Sequence, residues 1–203
     1  MFRTDFRYLL FLAPAVLVAV TVHEFAHALV ADRLGDPTPR QLGRLTLNPI
    51  AHLDVLGTIF FVLFSFGWAR PVPINPRNFA NPRQGMLQVA LAGPLANVTL
   101  AFAVGLLLKF QQPLGPFWEA MASMMVSINV VLAIFNLIPV PPLDGSRILE
   151  GLLPHEQAIA YSRIQPYGTI ILLVLLYTGV IGHLVMPAVR WLYDLATGTG
   201  FRA

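Results

Sequence analysis

The chain has 203 residues, of which 56% are hydrophobic and only 11% are charged. Because soluble domains carry about 25% charged residues, this composition excludes a soluble enzyme and a disordered chain. The net charge of +3 comes from scattered basic residues, which argues against a nucleic-acid partner. Without cysteine, the chain has no disulfides, thiolate metal ligands or thiol nucleophiles. The composition predicts an integral membrane protein, with the lipid bilayer as a partner.

Uncharged runs predict where the chain crosses the bilayer, which needs about 20 apolar residues in a helix. The first run begins at Tyr8, and we expect it to be retained rather than cleaved as a signal peptide, because it continues into HEFAH without a clear cleavage site. Four segments are long enough to span. The first is uncharged over residues 8–22 and continues helically through HEFAH to residue 31, and the other three are uncharged runs at 84–108, 120–143 and 164–189. The predicted fold is an all-α polytopic membrane protein with about four to six transmembrane helices.

A different pattern covers residues 41–83, where an uncharged run at 55–69 is too short to span comfortably. Residues 44–48 alternate polar and apolar, and residues 71–74 alternate with prolines that suit only an edge strand or a loop. We predict a re-entrant β-hairpin or loop here. Such backbone must pack against protein or line a water-filled cavity at membrane depth.

The motif His23-Glu24-Phe25-Ala26-His27 lies inside the first predicted span. Residues four apart share a helix face, so both imidazoles can bind one zinc ion, and Glu24 lies beside it as a general base would. Chance would explain this short motif alone. Ionisable groups at bilayer depth, however, cost roughly 2.5–3.5 kcal/mol each. Three of them within five residues therefore favour a metal centre.

The third ligand must come from elsewhere in the chain. Asp144 is favoured, because it follows an apolar run and three prolines in the stretch NLIPVPPLDG, where a turn can hold a carboxylate at the end of a broken helix. A plain helix-terminating turn would also explain the proline and glycine. His52 is the alternative ligand, since it follows the first predicted strand.

Two amides lie in the apolar runs. Asn97 follows the small residues of the stretch AGPLAN, and a packing hydrogen bond is favoured over a role in the site. Asn136 lies eight residues before Asp144. Its amide either donates a hydrogen bond to a carbonyl oxygen that develops negative charge or caps backbone freed by the prolines.

Together these motifs resemble those of the site-2 proteases, the intramembrane zinc metalloproteases. The matching stretches are HEFAH, GPLAN and NLIPVPPLDG, in that order. The resemblance implies one zinc ion on His23, His27 and Asp144, Glu24 as the base, and Asn136 near the reacting carbonyl. It also implies a transmembrane protein substrate, and that residues 41–83 form the family's re-entrant β-loop, whose edge receives the substrate as an added strand.

The predicted domain organisation is a single membrane protease domain over residues 1–203, with its core at 8–150 and a C-terminal helix and tail at 164–203. No stretch resembles a PDZ or CBS domain, so we expect a minimal member of the family. The alternatives are a transporter or metal-binding permease, which predicts duplicated helix breaks that we do not find, and a zinc-stabilised scaffold, which would not need Glu24. A homo-oligomer is left open.

The distribution of basic residues predicts the orientation in the cell membrane. If residues 55–69 are re-entrant and the N-terminus is outside, eight of the thirteen basic residues lie inside. If that segment spans and the N-terminus is inside, seven do. The positive-inside rule favours the first arrangement, which predicts a zinc centre towards the cytoplasm.

Overall fold

Long apolar helices dominate the computed structural model, which describes residues 6–64, 67–110 and 115–198. The termini of the predicted domain and residues 65–66 of the predicted hairpin lie outside these ranges. The α-helices are α1 (Phe6–Arg33), α2 (Thr38–Gln41), α3 (Val55–Phe64), α4 (Pro82–Phe110), α5 (Pro116–Asn136), α6 (Asp144–Leu152), α7 (His155–Ser162), α8 (Gly168–Tyr177) and α9 (Val180–Thr197). Short 3₁₀ turns cover Pro49–His52, Pro76–Asn78 and Gln165–Tyr167.

Four segments are long and apolar enough to cross a membrane: Leu9–Arg33, Pro82–Phe110, Pro116–Asn136 and His155–Tyr177. The prediction of an all-α polytopic membrane protein is confirmed. The predicted span at 164–189 is different in detail, because the chain breaks between α8 and α9 at Gly179, which has a φ of 73°. The predicted span at 120–143 ends early, at Asn136, because the prolines that follow cannot continue a helix.

The predicted strands at 44–48 and 71–74 are wrong: in the described ranges the loop has no strand, only an isolated antiparallel bridge between Leu53 and Ala69. Thr46 and Asn48 accept hydrogen bonds from nearby backbone N–H groups, and such local bonds compete with a sheet ladder. Prolines 71 and 73 have no N–H to donate. Residues 55–64 instead form helix α3, which satisfies its backbone internally, as an apolar environment requires. We call residues 41–83, with α3 at their centre, the α3 hairpin, or simply the hairpin.

Helix α4 is the centre of the packing and contacts α1, α5, α6 and α9. Small residues allow these close approaches. At Gly105, for example, an added Cβ would lie 2.4 Å from the carbonyl oxygen of Ala196 on α9. Because α1 and α6 both pack on α4, the HEFAH turn and the start of α6 are brought to the same place.

Candidate metal centre

Three side chains converge where α1 meets the first turn of α6. His23 and His27 lie one turn apart on α1, and both are more than 90% buried. Asp144 is the first residue of α6, and its Oδ2 lies 3.1 Å from Nε2 of His23 and 3.3 Å from Nε2 of His27. The nitrogen and oxygen atoms that these residues offer as ligands all lie within 4.8 Å of one another.

Acceptors on α4 fix which nitrogen of each histidine carries the proton. Nδ1 of His27 is 2.7 Å from the carbonyl oxygen of Val89, which can only accept, so Nδ1 donates. Nδ1 of His23 is 2.6 Å from Oδ1 of Asn97 and donates to it. In a neutral imidazole the other nitrogen, Nε2, then has a lone pair, and both Nε2 atoms face Asp144.

A backbone carbonyl and a second buried asparagine, Asn129, set the orientation of the Asn97 amide. Its Nδ2 donates to the carbonyl oxygen of Ala19 at 2.9 Å and to Oδ1 of Asn129 at 2.8 Å. Asn129, on α5, in turn donates from Nδ2 to the carbonyl oxygen of Met125. Every bond in this chain has one direction, so Oδ1 of Asn97 must face His23. Partners of this kind orient metal-ligating imidazoles.

The pocket between these atoms has the size and chemistry of a metal site. Oδ2 of Asp144 is buried, and its two contacts to the histidines do not have hydrogen-bond geometry. Within the described ranges, this oxygen has no other hydrogen-bond partner. A Cβ on Gly93 would lie 2.5 Å from Nε2 of His27 and 2.7 Å from Nε2 of His23, so only glycine leaves this space open. Two imidazoles and a carboxylate are a donor set that catalytic zinc takes, with a fourth position left for water or substrate.

Glu24 contacts the chain that follows α3. Its Oε2 accepts a hydrogen bond of 3.2 Å from the backbone N–H of Val72. Beside it is a cavity of about 440 Å³, bounded by α1, α3 with its flanks, and α5. The lining is mainly apolar, and it reaches His23, Glu24 and Asn136. An apolar segment that entered between the helices would meet Glu24 and the ligand cluster together.

The other predicted site residues lie in different surroundings. Asn136 lines the cavity and donates from Nδ2 to the carbonyl oxygen of Leu132; a second amide hydrogen remains on this group. Asn97 both packs between helices and holds His23, so its predicted packing bond is present and is joined by a contact to the centre. His52 is fully buried and contacts Thr46 and Arg44; it is not part of the ligand cluster.

Three contributors were missed from the sequence: Asn129, Gly93 and the carbonyl of Val89. Asn129 could have been noticed as a polar side chain in an apolar run, two turns before Asn136. The sequence indicates Gly93 as part of a helix-packing face and as the start of the matching stretch GPLAN, but not as a neighbour of the imidazoles. No signal in the sequence indicated the Val89 carbonyl, because Pro94 removes the helical donor to the carbonyl of Ala90 and not to that of Val89.

Comparisons with known proteins agree on one family. The model of peptidase family M50 matches residues 112–179. YwhC of Bacillus subtilis is 42% identical over 187 residues, which cover 87% of this chain and 84% of YwhC. Rip2 of Mycolicibacterium smegmatis is 32% identical, over 89% of this chain and 71% of Rip2. Both names include the words zinc metalloprotease, which favours a zinc peptidase over the transporter and scaffold alternatives. No solved structure matches the chain significantly.

Proposed function

The chain belongs to peptidase family M50, the site-2 protease family of zinc metalloproteases, and on this premise we propose that it is an intramembrane endopeptidase whose zinc is held by His23, His27 and Asp144. One observation carries the proposal. Three lone-pair atoms converge beside Glu24, at the end of an apolar cavity that lies between predicted membrane helices. A zinc peptidase needs the metal and a base side by side, and a transmembrane substrate needs an apolar path to both.

Each residue then has a defined role. When bound, zinc polarises the scissile carbonyl and makes a water more acidic. Glu24 accepts a proton from the attacking water and delivers it to the amine nitrogen that leaves. The Nδ1 atoms of His23 and His27 are engaged with Asn97 and Val89, so Nε2 is the nitrogen that each imidazole offers to the metal. Asn136, at the cavity wall, donates its remaining amide hydrogen to the carbonyl oxygen as negative charge develops there.

The substrate is an apolar segment of another membrane protein. The cavity lining is mainly apolar, with leucine, valine and phenylalanine side chains from α1, α3 and α5. Since a helix hides its backbone amides in internal hydrogen bonds, the substrate must unwind locally before the base and the metal can reach a peptide bond. Segments that contain helix-breaking residues are expected to be cleaved faster.

The centre faces the cytoplasm. His23 and His27 lie about 15 Å and 9 Å from the end of α1 at Arg33, at 1.5 Å per residue. The loop that follows contains four of the eight basic residues counted for the inner side, and such residues favour the cytoplasmic surface. Asp144 begins the short helix that follows α5, so both parts of the centre lie near the same membrane surface.

Two measurements on purified protein test this function. Asp144→Ala is expected to lose bound zinc together with activity, whereas His52→Ala keeps its zinc. Mass spectrometry of the products from a membrane-protein substrate is expected to place the cut within or at the edge of its transmembrane segment. A cut confined to a soluble flank, or zinc lost from His52→Ala but retained by Asp144→Ala, would contradict the proposal.

A further inference from the structure

The side chain of Arg44 is buried in the hairpin, with 4% of its surface exposed. Among the residues that the structure describes, no carboxylate forms an ion pair with it. The guanidinium donates instead to backbone, from Nη2 to the carbonyl oxygen of Arg70 and from Nη1 to that of Pro71 at 3.1 Å. Burying a cation is costly unless hydrogen bonds and nearby negative charge compensate for the lost water. For Arg44, the carbonyl oxygens of Arg70 and Pro71 provide these hydrogen bonds.

The peptide group that joins Pro71 to Val72 links Arg44 to Glu24. Its carbonyl oxygen accepts from Arg44, and its N–H donates to Oε2 of Glu24 at 3.2 Å. The negative end of the peptide dipole therefore faces the cation and the positive end faces the carboxylate. Hydrogen bonds in such a chain polarise and strengthen one another.

Charge and local sequence both favour this linkage. Burial lowers the pKa of the Arg44 guanidinium, and the charge of Glu24 acts in the opposite direction. Pro71 and Pro73 have no N–H, so Val72 is the residue of this tripeptide whose backbone can donate to Glu24. The segment has little regular structure to hold it, since the nearby bridge joins only Leu53 and Ala69.

His52 fixes Arg44 in turn. Nε2 of His52 lies 2.8 Å from the carbonyl oxygen of Thr46 and must donate to it. This leaves a lone pair on Nδ1, which lies 3.4 Å from Nη2 of Arg44. The backbone carbonyl of His52 accepts from the N–H of Arg70 at 2.9 Å. The sequence favoured Asp144 over His52 as a ligand, and the structure assigns His52 to the support of this hairpin.

We propose that Arg44 is a positioning residue for catalysis, which holds the Pro71–Val72 peptide so that its N–H orients the Glu24 carboxylate towards the attacking water. This inference rests on the proposed function of Glu24 as the base. It predicts that changes at Arg44 slow the chemical step while zinc and substrate binding remain. A hairpin anchor without this role would instead alter the folded fraction or KM.

The first test measures kcat, KM, zinc content and thermal unfolding of Arg44 variants in detergent, with one membrane-protein substrate. Arg44→Met is expected to lower kcat about 100-fold, since misplacing a catalytic group by about 1 Å has that effect, with zinc retained and KM within about threefold. Arg44→Lys, which keeps the charge but cannot bridge both carbonyls, is expected to recover about tenfold. Arg40→Lys, at an exposed arginine of the same loop, is the control and is expected to keep the kcat of the unmodified protein.

The second test removes the linking N–H itself and does not depend on the Arg44 variants being stable. Val72→Pro cannot donate to Glu24 but keeps the Pro71 carbonyl, and kcat is expected to fall about tenfold or more. Val72→Ala keeps the N–H and loses only the side chain, so its kcat is expected to exceed that of Val72→Pro about fivefold. In the Val72→Pro background, Arg44→Lys is expected to add no further loss, because residues that act through one linkage are not additive.

The outcomes separate this inference from the proposed function. If Glu24→Gln is inactive but Arg44→Met and Val72→Pro keep the kcat of the unmodified protein, the positioning role is wrong and the protease mechanism remains. The positioning role is also wrong if the Arg44 variants change only KM, zinc content or the folded fraction, with kcat unchanged. It is equally wrong if the loss of kcat in Arg44→Lys adds fully to the loss of kcat in Val72→Pro. If Glu24→Gln remains active, the proposed function fails first.

Discussion

At the scale of single residues, the centre depends on atoms that a list of ligands does not include. The Val89 carbonyl and the Asn97 amide hold the Nδ1 protons of the two histidines, and Gly93 keeps the space between the Nε2 atoms open. These groups lie on α4, which has none of the proposed ligands. The geometry of the site is therefore determined jointly by α1, α4 and α6.

We predict that Gly93→Ala weakens zinc binding about 10–100-fold, the range usual for disturbed support of a metal site. The new methyl group would lie within 3 Å of both imidazoles, so they must move apart. Competition with a chelator measures the affinity. Gly182→Ala is the matched control, because an added Cβ there meets nothing within 4 Å. Equal zinc affinities for Gly93→Ala and the unmodified protein would contradict this account of the pocket.

The sequence led to His23, Glu24, His27 and Asp144 because few ionisable residues lie in its apolar runs. It could not lead to the pairing of Asn97 with Asn129, because these residues lie 32 positions apart on different helices. Nor could it show that Gly93 faces the imidazoles, since a small residue on an apolar helix is equally suited to helix packing.

At the scale of elements, the hairpin around α3 differs most from what the sequence predicts. The start of α3 and the chain that follows α3 approach closely. A Cβ added to Gly57 would lie 2.1 Å from the carbonyl oxygen of Trp68, and one added to Gly67 would lie 2.3 Å from the carbonyl oxygen of Gly57. The alternation at 44–48 was misleading, because side chains there bind the local backbone. Helix α3 has 10 residues, fewer than the roughly 20 that cross a bilayer, but periodicity cannot distinguish a short helix from a strand.

We predict that Gly57→Val separates the flanks of the hairpin and lowers kcat/KM about tenfold or more, because Gly57 and Trp68 line the cavity. Zinc content is expected to stay the same, since the ligands lie on α1 and α6. Kinetics with a membrane-protein substrate and zinc analysis of the same sample measure both effects. Leu63→Ala is the control at an exposed position of α3. Unchanged kcat/KM in Gly57→Val would show that the hairpin does not shape the substrate path.

At the scale of the whole molecule, the loop between α1 and α4 begins and ends on one side. Asp36, which is fully buried, accepts hydrogen bonds from the backbone N–H of Asn75 and from the side chain of Asn78, both at 2.7 Å. Because these contacts join the residues after α1 to those before α4, we expect the α3 hairpin to enter and leave the membrane at the same surface. These contacts support the proposed re-entrant path, and the charge count predicts that it opens to the cytoplasm.

We predict that single cysteines at Gln41 and Ala80 react with an impermeant thiol reagent from the cytoplasmic side only. Both positions are exposed, and the chain has no native cysteine to interfere. A cysteine at Pro116, the first residue of α5, is the control and is expected to react from the opposite side. Labelling of Gln41 and Ala80 from opposite sides would mean that the α3 segment crosses the membrane.

The central claim is that a zinc centre and Glu24 together cleave membrane-protein substrates, and Glu24→Gln tests it most directly. Glutamine keeps the shape and can still accept from Val72, but it cannot take a proton from water. Zinc content and cleavage of a transmembrane substrate are measured on the same purified sample. We predict a full complement of zinc with cleavage reduced by roughly 10²–10⁴-fold, the usual contribution of a general base. Cleavage at the rate of the unmodified protein, with zinc present, would contradict the mechanism.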